Sequence, residues 1–221
     1  MHTIQILIAD DHGIVRQGVM YLASEAYSNA NFTQATDYTS LYATLNSQHV
    51  DLLICDINMP GLTGFSQVER IRKDFPQLKI LIFSAYDEEI YAIRYLQAGA
   101  NGFLHKNSDD KIIKTAIEEV MEKGSYASPT IYNKLLNNVL LNKQNNNPLE
   151  KLSNREIEIA KLLIDGLGIL EISNILNIHT TTVSTYKSRL FEKLEISSVP
   201  QLIKIYENYS QHYNKPAVNP Y

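Results

Sequence analysis

Five side chains capable of chemistry follow short apolar runs in the first half of the sequence. They are the pair Asp10-Asp11 after Ile4-Ala9, Asp56 after Leu52-Cys55, Ser84 after Ile80-Phe83, and Lys106 beyond Gly102-Leu104. Three carboxylates crowded together repel, and each resists ionisation unless a cation compensates. A hard divalent ion such as Mg²⁺ meets that need, because it prefers oxygen ligands, a few carboxylates plus waters. With the metal and the Lys106 ammonium offsetting negative charge, a phosphoryl donor can approach, and one carboxylate can act as nucleophile to form an acyl phosphate. Asp56 is the candidate nucleophile, since Ile57-Asn58-Met59-Pro60-Gly61 behind it reads as a turn that exposes it. Ser84 is placed to hydrogen-bond a phosphoryl oxygen and Lys106 to pair with it, while the small Ala85 leaves room.

Those residues need a scaffold that gathers them. Through residue 124, short apolar runs alternate with segments of helical period, the pattern of a parallel sheet covered by helices. The strand candidates are Ile4-Ala9, Phe32-Thr36, Leu52-Cys55, Ile80-Phe83 and Gly102-Leu104. Val15, Val19, Leu22 and Ala26 recur at helical spacing between them, as do Val68, Ile71 and Phe75, and Ile112, Ala116, Ile117, Val120 and Met121. The unbroken runs Leu52-Cys55 and Ile80-Phe83 suit central strands covered on both faces. The expectation is an α/β domain, a doubly wound five-stranded parallel sheet over 1–124, whose strand ends of one polarity bring the five polar residues to one edge. His105 reads as an alternating strand residue facing away from that edge. Tyr86, Tyr91 and Tyr95 read as packing on or just before the fourth helix.

Residues 125–148 form a linker with a short helix opened by Pro129, followed by the polar run Asn142 to Pro148. From 149 to 212 the sequence supplies four helices, a small all-α unit with helix-turn-helix spacing. The first opens on the capping box Ser153-Asn154-Arg155-Glu156 and closes at Gly166 and Gly168. Another runs to Leu176, with Asn177 in a left-handed turn, and a further one is expected from Val183 to Leu194. The last begins near Ser197 or Ser198 with Pro200 in its first turn and uses Leu202, Ile205, Tyr206 and Tyr209 as its apolar face. In the third helix, Thr182, Ser184, Thr185, Lys187, Ser188 and Arg189 lie off the inward stripe of Val183, Leu190 and Leu194. Short hydroxyl side chains near a helix start can approach base edges, while Lys and Arg neutralise phosphates. Residues 213–221, with two prolines, are expected to be a disordered tail.

A composition of 44% hydrophobic and 20% charged residues, without an apolar run of 18, excludes a membrane span and global disorder. The N-terminal Met1-His2-Thr3-Ile4 leads into an apolar run lacking the basic start and cleavage site of a signal peptide, so the expected location is the cytoplasm. Cys55 is the sole cysteine, which excludes a disulfide framework or a cysteine zinc site within one chain. The net charge of −4 hides an asymmetry: residues 1–125 carry −6 and residues 126–221 carry +2. The first part suits a cation; the second is only faintly basic for a nucleic-acid binder.

Taken with Asp10-Asp11-His12, Arg16 and Gly18, the constellation resembles a bacterial response-regulator receiver domain of the NarL/FixJ branch, with a flavodoxin-like fold. The resemblance implies that Asp56 accepts a phosphoryl group from a sensor histidine kinase. It further implies that Asp10 or Asp11, Asp56 and the Asn58 backbone carbonyl hold Mg²⁺, that Ser84 and Lys106 complete the site, and that Phe103 takes the switch-aromatic position. Asn107 departs from the proline that commonly follows the lysine; a cis non-proline bond costs about 2.5–4 kcal/mol and is not expected. Leu152-Ser153-Asn154-Arg155-Glu156, Glu171-Ile172 and Lys193-Leu194 resemble the LuxR-type helix-turn-helix. There Gly168-Ile169-Leu170 replaces the common Ser-Asn-Lys, and Ser184 and Tyr186 replace lysine and histidine. The implied protein is a phosphorylation-controlled transcriptional regulator acting on double-stranded DNA, a homodimer when phosphorylated, with the last helix pairing two copies. Two other classes stand beside this one: a protein-interaction module with weak or no DNA binding, suggested by the low basicity and Gly168-Ile169-Leu170, and an Asp-nucleophile phosphohydrolase. Asn58 stands where the latter needs a second Asp and no substrate cap is offered, so the chain reads as a non-enzyme.

Overall fold

The structure, a computed structural model, describes residues 3–62, 64–140 and 148–210. The chain divides into two compact units, Met1–Gln144 and Asn145–Tyr221. In the first, strands β1 (Gln5–Ala9), β2 (Asn31–Ala35), β3 (Leu52–Cys55), β4 (Lys79–Ser84) and β5 (Gly102–His105) form a parallel sheet in the order β2-β1-β3-β4-β5. Helices α1 (Gly13–Ala26), α2 (Tyr38–Ser47), α3 (Phe65–Asp74), α4 (Glu88–Gln97) and α5 (Asp110–Lys123) connect and follow the strands. This is the doubly wound α/β fold expected from the sequence.

Alternation along each strand divides the core. Ile6, Ile8, Leu52, Ile54, Leu81 and Leu104 pack with Val19 and Leu22 of α1 and with Ile113, Ile117 and Val120 of α5. Leu7, Leu53, Ile80, Ile82 and Phe103 are buried as deeply on the alternate positions. Each such side chain contributes about 1.5–3 kcal/mol of burial free energy. One expectation is corrected here: Ile112 is 42% exposed, and its neighbour Ile113 is buried instead. The stripe Ile113, Ala116, Ile117 and Val120 keeps helical spacing while leaving Ile112 beside solvent.

A polar hub closes the sheet at the end away from the candidate site. Asn101 exchanges backbone and side-chain hydrogen bonds with Ile80, its amide nitrogen reaches the Gly124 carbonyl at 2.7 Å, and its side-chain oxygen accepts from Arg72 at 2.6 Å. Arg72 also donates to the Gly99 and Pro76 carbonyls, tying α3 to the turn before β5. Helix α6 (Pro129–Leu140), expected within the linker, belongs to the first unit: Ile131 is buried, and Lys134 Nζ lies 2.8 Å from Glu89 Oε2 on α4. The polar residues 142–147 and the tail 213–221 lie outside the described residues.

In the second unit a short 3₁₀ turn (Pro148–Lys151) precedes α7 (Asn154–Ile164), α8 (Ile169–Leu176), α9 (Thr180–Leu194) and α10 (Val199–Ser210). The capping box at Ser153 and Glu156 is formed, and Asn177 adopts the expected left-handed conformation at φ 50°. Helix α9 starts three residues before the expected Val183: extended His179 stands at the N-cap without a side-chain capping bond, and its carbonyl accepts from the Thr182 and Val183 amides at 2.9 and 3.1 Å, so the threonines fill the first turn. Among the described residues no helix is long and apolar enough to cross a membrane.

Two glycines give opposite expectations. At Gly99, φ is +100° and a Cβ would stand 2.6 Å from Arg72 Cγ, so Gly99→Ala lowers the urea midpoint of the first unit by an amount equivalent to about 2 kcal/mol or more. Gly18 lies inside α1 with open space around it, so Gly18→Ala raises the same midpoint by about 0.5–1 kcal/mol.

Candidate functional site

The parallel register brings the strand ends together. Ala9 pairs with Cys55, and the Asp56 amide donates to the Ala9 carbonyl at 2.8 Å, so Asp10 and Asp56 leave adjacent strands side by side. Ser84 pairs with His105, and the Lys106 amide donates to the Ser84 carbonyl, which aims Lys106 at the same edge. Asp10, Asp56 and Ser84 are buried polar residues, at 2%, 3% and 1% exposure.

Lys106 joins them. Its Nζ lies 2.6 Å from Asp10 Oδ2 and 2.8 Å from Asp56 Oδ2. Burial pushes the Asp56 carboxyl above its usual pKa, against the lowering pull of Lys106 and of the Asn58 amide at 3.2 Å. Burial also works against the Lys106 charge, but hydrogen bonds to Asp10 and Asp56 outweigh it and raise the lysine above its usual value. Asp11 sits at the rim, with His12 Nδ1 2.6 Å from its Oδ1 and 3.3 Å from Asp10 Oδ1. One ammonium among three carboxylates leaves negative charge uncompensated, and the donors are oxygens. Among the described residues Asp10, Asp11 and His12 form the one group with potential ligand atoms all within 4.8 Å of one another; it offers two carboxylates and a ring nitrogen and leaves Asp56 outside, and the carboxylate oxygens at this edge are the donors a hard divalent cation prefers.

The surrounding residues fall as the sequence suggested, with additions. His105 stays off the carboxylates, its Nε2 3.1 Å from the Ala85 carbonyl oxygen and its Nδ1 accepting from the Asn107 amide. The peptide bonds of the described residues, including that before Asn107, are trans. Phe103 is buried on β5, 6.2 Å from the Tyr95 ring. Tyr91 and Tyr95 pack on α4 but are fully buried, deeper than the half-buried packing expected of them. Cys55 is buried, and burial raises its thiol pKa. Two contributors were missed. Arg16 donates to the Asp10 carbonyl at 2.7 Å and to Gln34, fixing the end of β1. Tyr86 donates its amide to Ser84 Oγ and its hydroxyl to Asn58 Oδ1. Its place two residues beyond Ser84 was the available signal, but nothing in residue type announced the reach to Asn58.

Residues 6–118 match the response regulator receiver domain, and residues 150–206 match the luxR family of bacterial regulatory proteins. The chain is a response regulator of the NarL/FixJ type. It is 32% identical over 206 residues to the oxygen regulatory protein NreC of Staphylococcus carnosus, spanning 90% of this chain and 95% of that protein. It is 33% identical over 210 residues to the fimbriae Z protein of Escherichia coli K12, spanning 94% and 99%. Its fold is similar to Salmonella typhimurium RcsB, with TM-score 0.55 and 25% identity over 96% of this chain and 100% of that one. A structure of an RcsB-DNA complex gives TM-score 0.54 at 25% identity, covering 92% and 98%.

In this response regulator's second unit, Thr185, Ser188 and Arg189 of α9 are exposed, and Thr182, Ser184 and Lys187 half-buried. Ser184 and Thr185 donate their hydroxyls back to the Thr180 and Thr181 carbonyls, leaving the oxygens as acceptors. Lys187 Nζ stands 5.5 Å from the Phe191 ring centre. The α8 start is capped by Glu171, whose carboxylate accepts from the Gly168 amide at 2.7 Å, and Leu170 is 65% exposed. Leu202, expected to be buried by the last helix and also to help pair two copies, is buried within the unit, which bears out the first expectation and takes it away from the second. Ile205 is half-buried, and the Tyr209 side chain lies outside the described residues.

Removing the Lys106 charge while keeping its length tests the charge balance. In metal-free buffer Lys106→Met destabilises the first unit by about 3 kcal/mol at neutral pH. The folded pKa of Asp56 then lies still further above its unfolded value. Stability therefore falls as pH rises through that interval, and the deficit narrows on acidification. Urea titrations at several pH values measure it.

Proposed function

We propose that this response regulator accepts a phosphoryl group on Asp56 from the phosphohistidine of a sensor histidine kinase and thereby controls its binding to double-stranded DNA. The observation that carries the reading is the single ammonium of Lys106 held between buried Asp10 and Asp56. An Asp56 carboxylate oxygen forms a bond to phosphorus as the phosphorus–nitrogen bond to the donor imidazole breaks, and the electron pair stays on that nitrogen. Asp10, Asp11, Asp56 and the Asn58 backbone carbonyl are the groups that would hold Mg²⁺, whose chemistry there is charge compensation for the phosphoryl oxygens. Lys106 gives up part of its pairing with Asp56 to meet the incoming anion, and Ser84 turns its hydroxyl toward a phosphoryl oxygen.

That rearrangement biases a surface around Phe103, α4 and β5 between two states. Moving such an equilibrium from 1:99 to 99:1 takes about 5.5 kcal/mol, within reach of a few charge-assisted bonds. The receiver occupies 1–124, and residues 125–148, beginning with docked α6, join it to a DNA-binding domain over 149–212. Thr182, Ser184, Thr185, Lys187, Ser188 and Arg189 are the residues we assign to DNA, hydroxyls toward bases and cations toward phosphates. The active form is a homodimer on a two-fold site. A phosphohistidine donor and a DNA target place the protein in the cytoplasm, as a regulator and not an enzyme, and without a membrane partner.

A second reading is favoured by one observation. Leu170 is exposed while Glu171 occupies the α8 amide end, features suited to a protein contact in place of a phosphate. Salt decides between the two, because phosphate contacts release counterions. Fragment selection from genomic DNA, with and without acetyl phosphate, recovers specific duplexes more strongly when the donor is present. Asp56→Asn abolishes that gain while leaving basal binding. Arg189→Ala weakens binding about uniformly across sequences and reduces the slope of log affinity against log salt by about 1. Affinity for duplex that is unmeasurable, or flat in salt, favours the interaction module.

A further inference from the structure

Ser84 and His105 pair at the ends of β4 and β5, and past them the chain leads from one strand into α4 and from the other into α5. The last backbone bond between the two exits runs from the Lys106 amide to the Ser84 carbonyl at 2.8 Å. Beyond it the His105 ring takes over. Its Nε2 lies 3.1 Å from the Ala85 carbonyl oxygen, one residue past Ser84, and its Nδ1 lies 3.1 Å from the Asn107 amide nitrogen, one residue past Lys106. The Ser108 amide closes the turn on the His105 carbonyl at 3.0 Å. The backbone dictates the tautomer: a peptide N–H only donates and a peptide C=O only accepts, so this bridge needs the imidazole proton on Nε2 and a bare Nδ1. Residue 107 can take part because it is Asn; a proline would have no N–H to offer.

We infer that His105 is a positioning residue for Lys106: its neutral ring bridges the exits of β4 and β5 and fixes the turn from which the lysine ammonium reaches the phosphoryl position. The inference rests on Asp56 being the phosphoacceptor. Lys106 Nζ stands 2.8 Å from Asp56 Oδ2 at the end of a long, flexible stem. Such a stem delivers its charge to one place only from a backbone that is itself held, and a small misplacement of that charge lowers the rate. Both peptide amides that bound the lysine are held here, its own by Ser84 and the next by His105 Nδ1. The Nε2 bond to Ala85 anchors the ring to the exit that carries Ser84, so the two side chains expected on the phosphoryl oxygens share one frame. His105 acts from outside the carboxylates. Both of its ring bonds end on backbone, so replacing it with a neutral side chain leaves the charges of the site in place.

The test uses the full chain with Mg²⁺ and acetyl phosphate, where an Asp56 oxygen–phosphorus bond forms and acetate leaves with the electron pair of the broken phosphorus–oxygen bond. His105→Phe keeps a ring and deletes both nitrogens. Its maximal labelling rate falls about three- to tenfold, the worth of one neutral hydrogen bond, with KM for acetyl phosphate unchanged. His105→Asn sets its side-chain oxygen where Nδ1 stands, recaptures the Asn107 amide in an Asx-turn and restores most of the rate. His105→Gln, whose amide nitrogen reaches as far as Nε2 and regains the Ala85 bond alone, stays slow. Lys106→Met is slower still, and adding His105→Phe to it slows labelling no further. In mildly alkaline buffer the ring-nitrogen resonances of wild type place the His105 proton on Nε2. A Phe variant as fast as wild type, a Gln variant as fast as the Asn one, additive losses in the double variant, or a proton on Nδ1 overturns the role. If wild type is labelled and Asp56→Asn is not, such a failure belongs to His105 alone. If wild type takes no label, the phosphoacceptor assignment fails and the positioning role with it.

Discussion

Two carboxylates buried at neighbouring strand ends share one ammonium, and the architecture of the first unit serves that arrangement. A lone buried charge is too costly to keep, so Asp10, Asp56 and Lys106 hold one another at the sheet edge. The pairing is incomplete: Asp11 adds a third carboxylate at the rim, and among the described residues Lys106 is the one cation acting on Asp56. The site is therefore poised toward cations and toward neutralising chemistry. Its resting state is held by groups that must let go of each other when it is used.

Much of this was legible in the sequence. The five apolar runs became five parallel strands because runs buried on both faces leave few other packings, and parallel order then forces the residues after them to one edge. The aspartates, Ser84 and Lys106 could be placed without coordinates for that reason. Asn58 was legible as the second residue of a turn and, through the resemblance, as a carbonyl that would hold Mg²⁺; that its amide would reach Asp56 depended on the turn's backbone.

What escaped the sequence shares a cause. Ile113 replaced Ile112 in the core because adjacent isoleucines offer the helix two faces, and only the neighbouring α1 decides between them. Leu202 was read both as buried and as a pairing residue, because a short helix shows one apolar stripe whether it meets its own core or another molecule. Tyr86 and Arg16 act through atoms at the far ends of long side chains, and residue type does not encode where those ends arrive. The outcomes that failed were decided by tertiary neighbours; those that held were fixed by periodicity and chain direction.

The Asn101 hub has a consequence for motion. Its amide side chain and backbone are engaged with Ile80, Arg72, Gly124 and Tyr126 at the floor of the sheet, far from the carboxylates. Opening there must break several partly buried bonds at once, whereas the opposite rim is held by polar contacts around loops. Hydrogen exchange accordingly grades along β4 and β5, slow at the Asn101 end and quicker toward the rim, so fluctuations gather where the charge changes and the floor acts as their anvil.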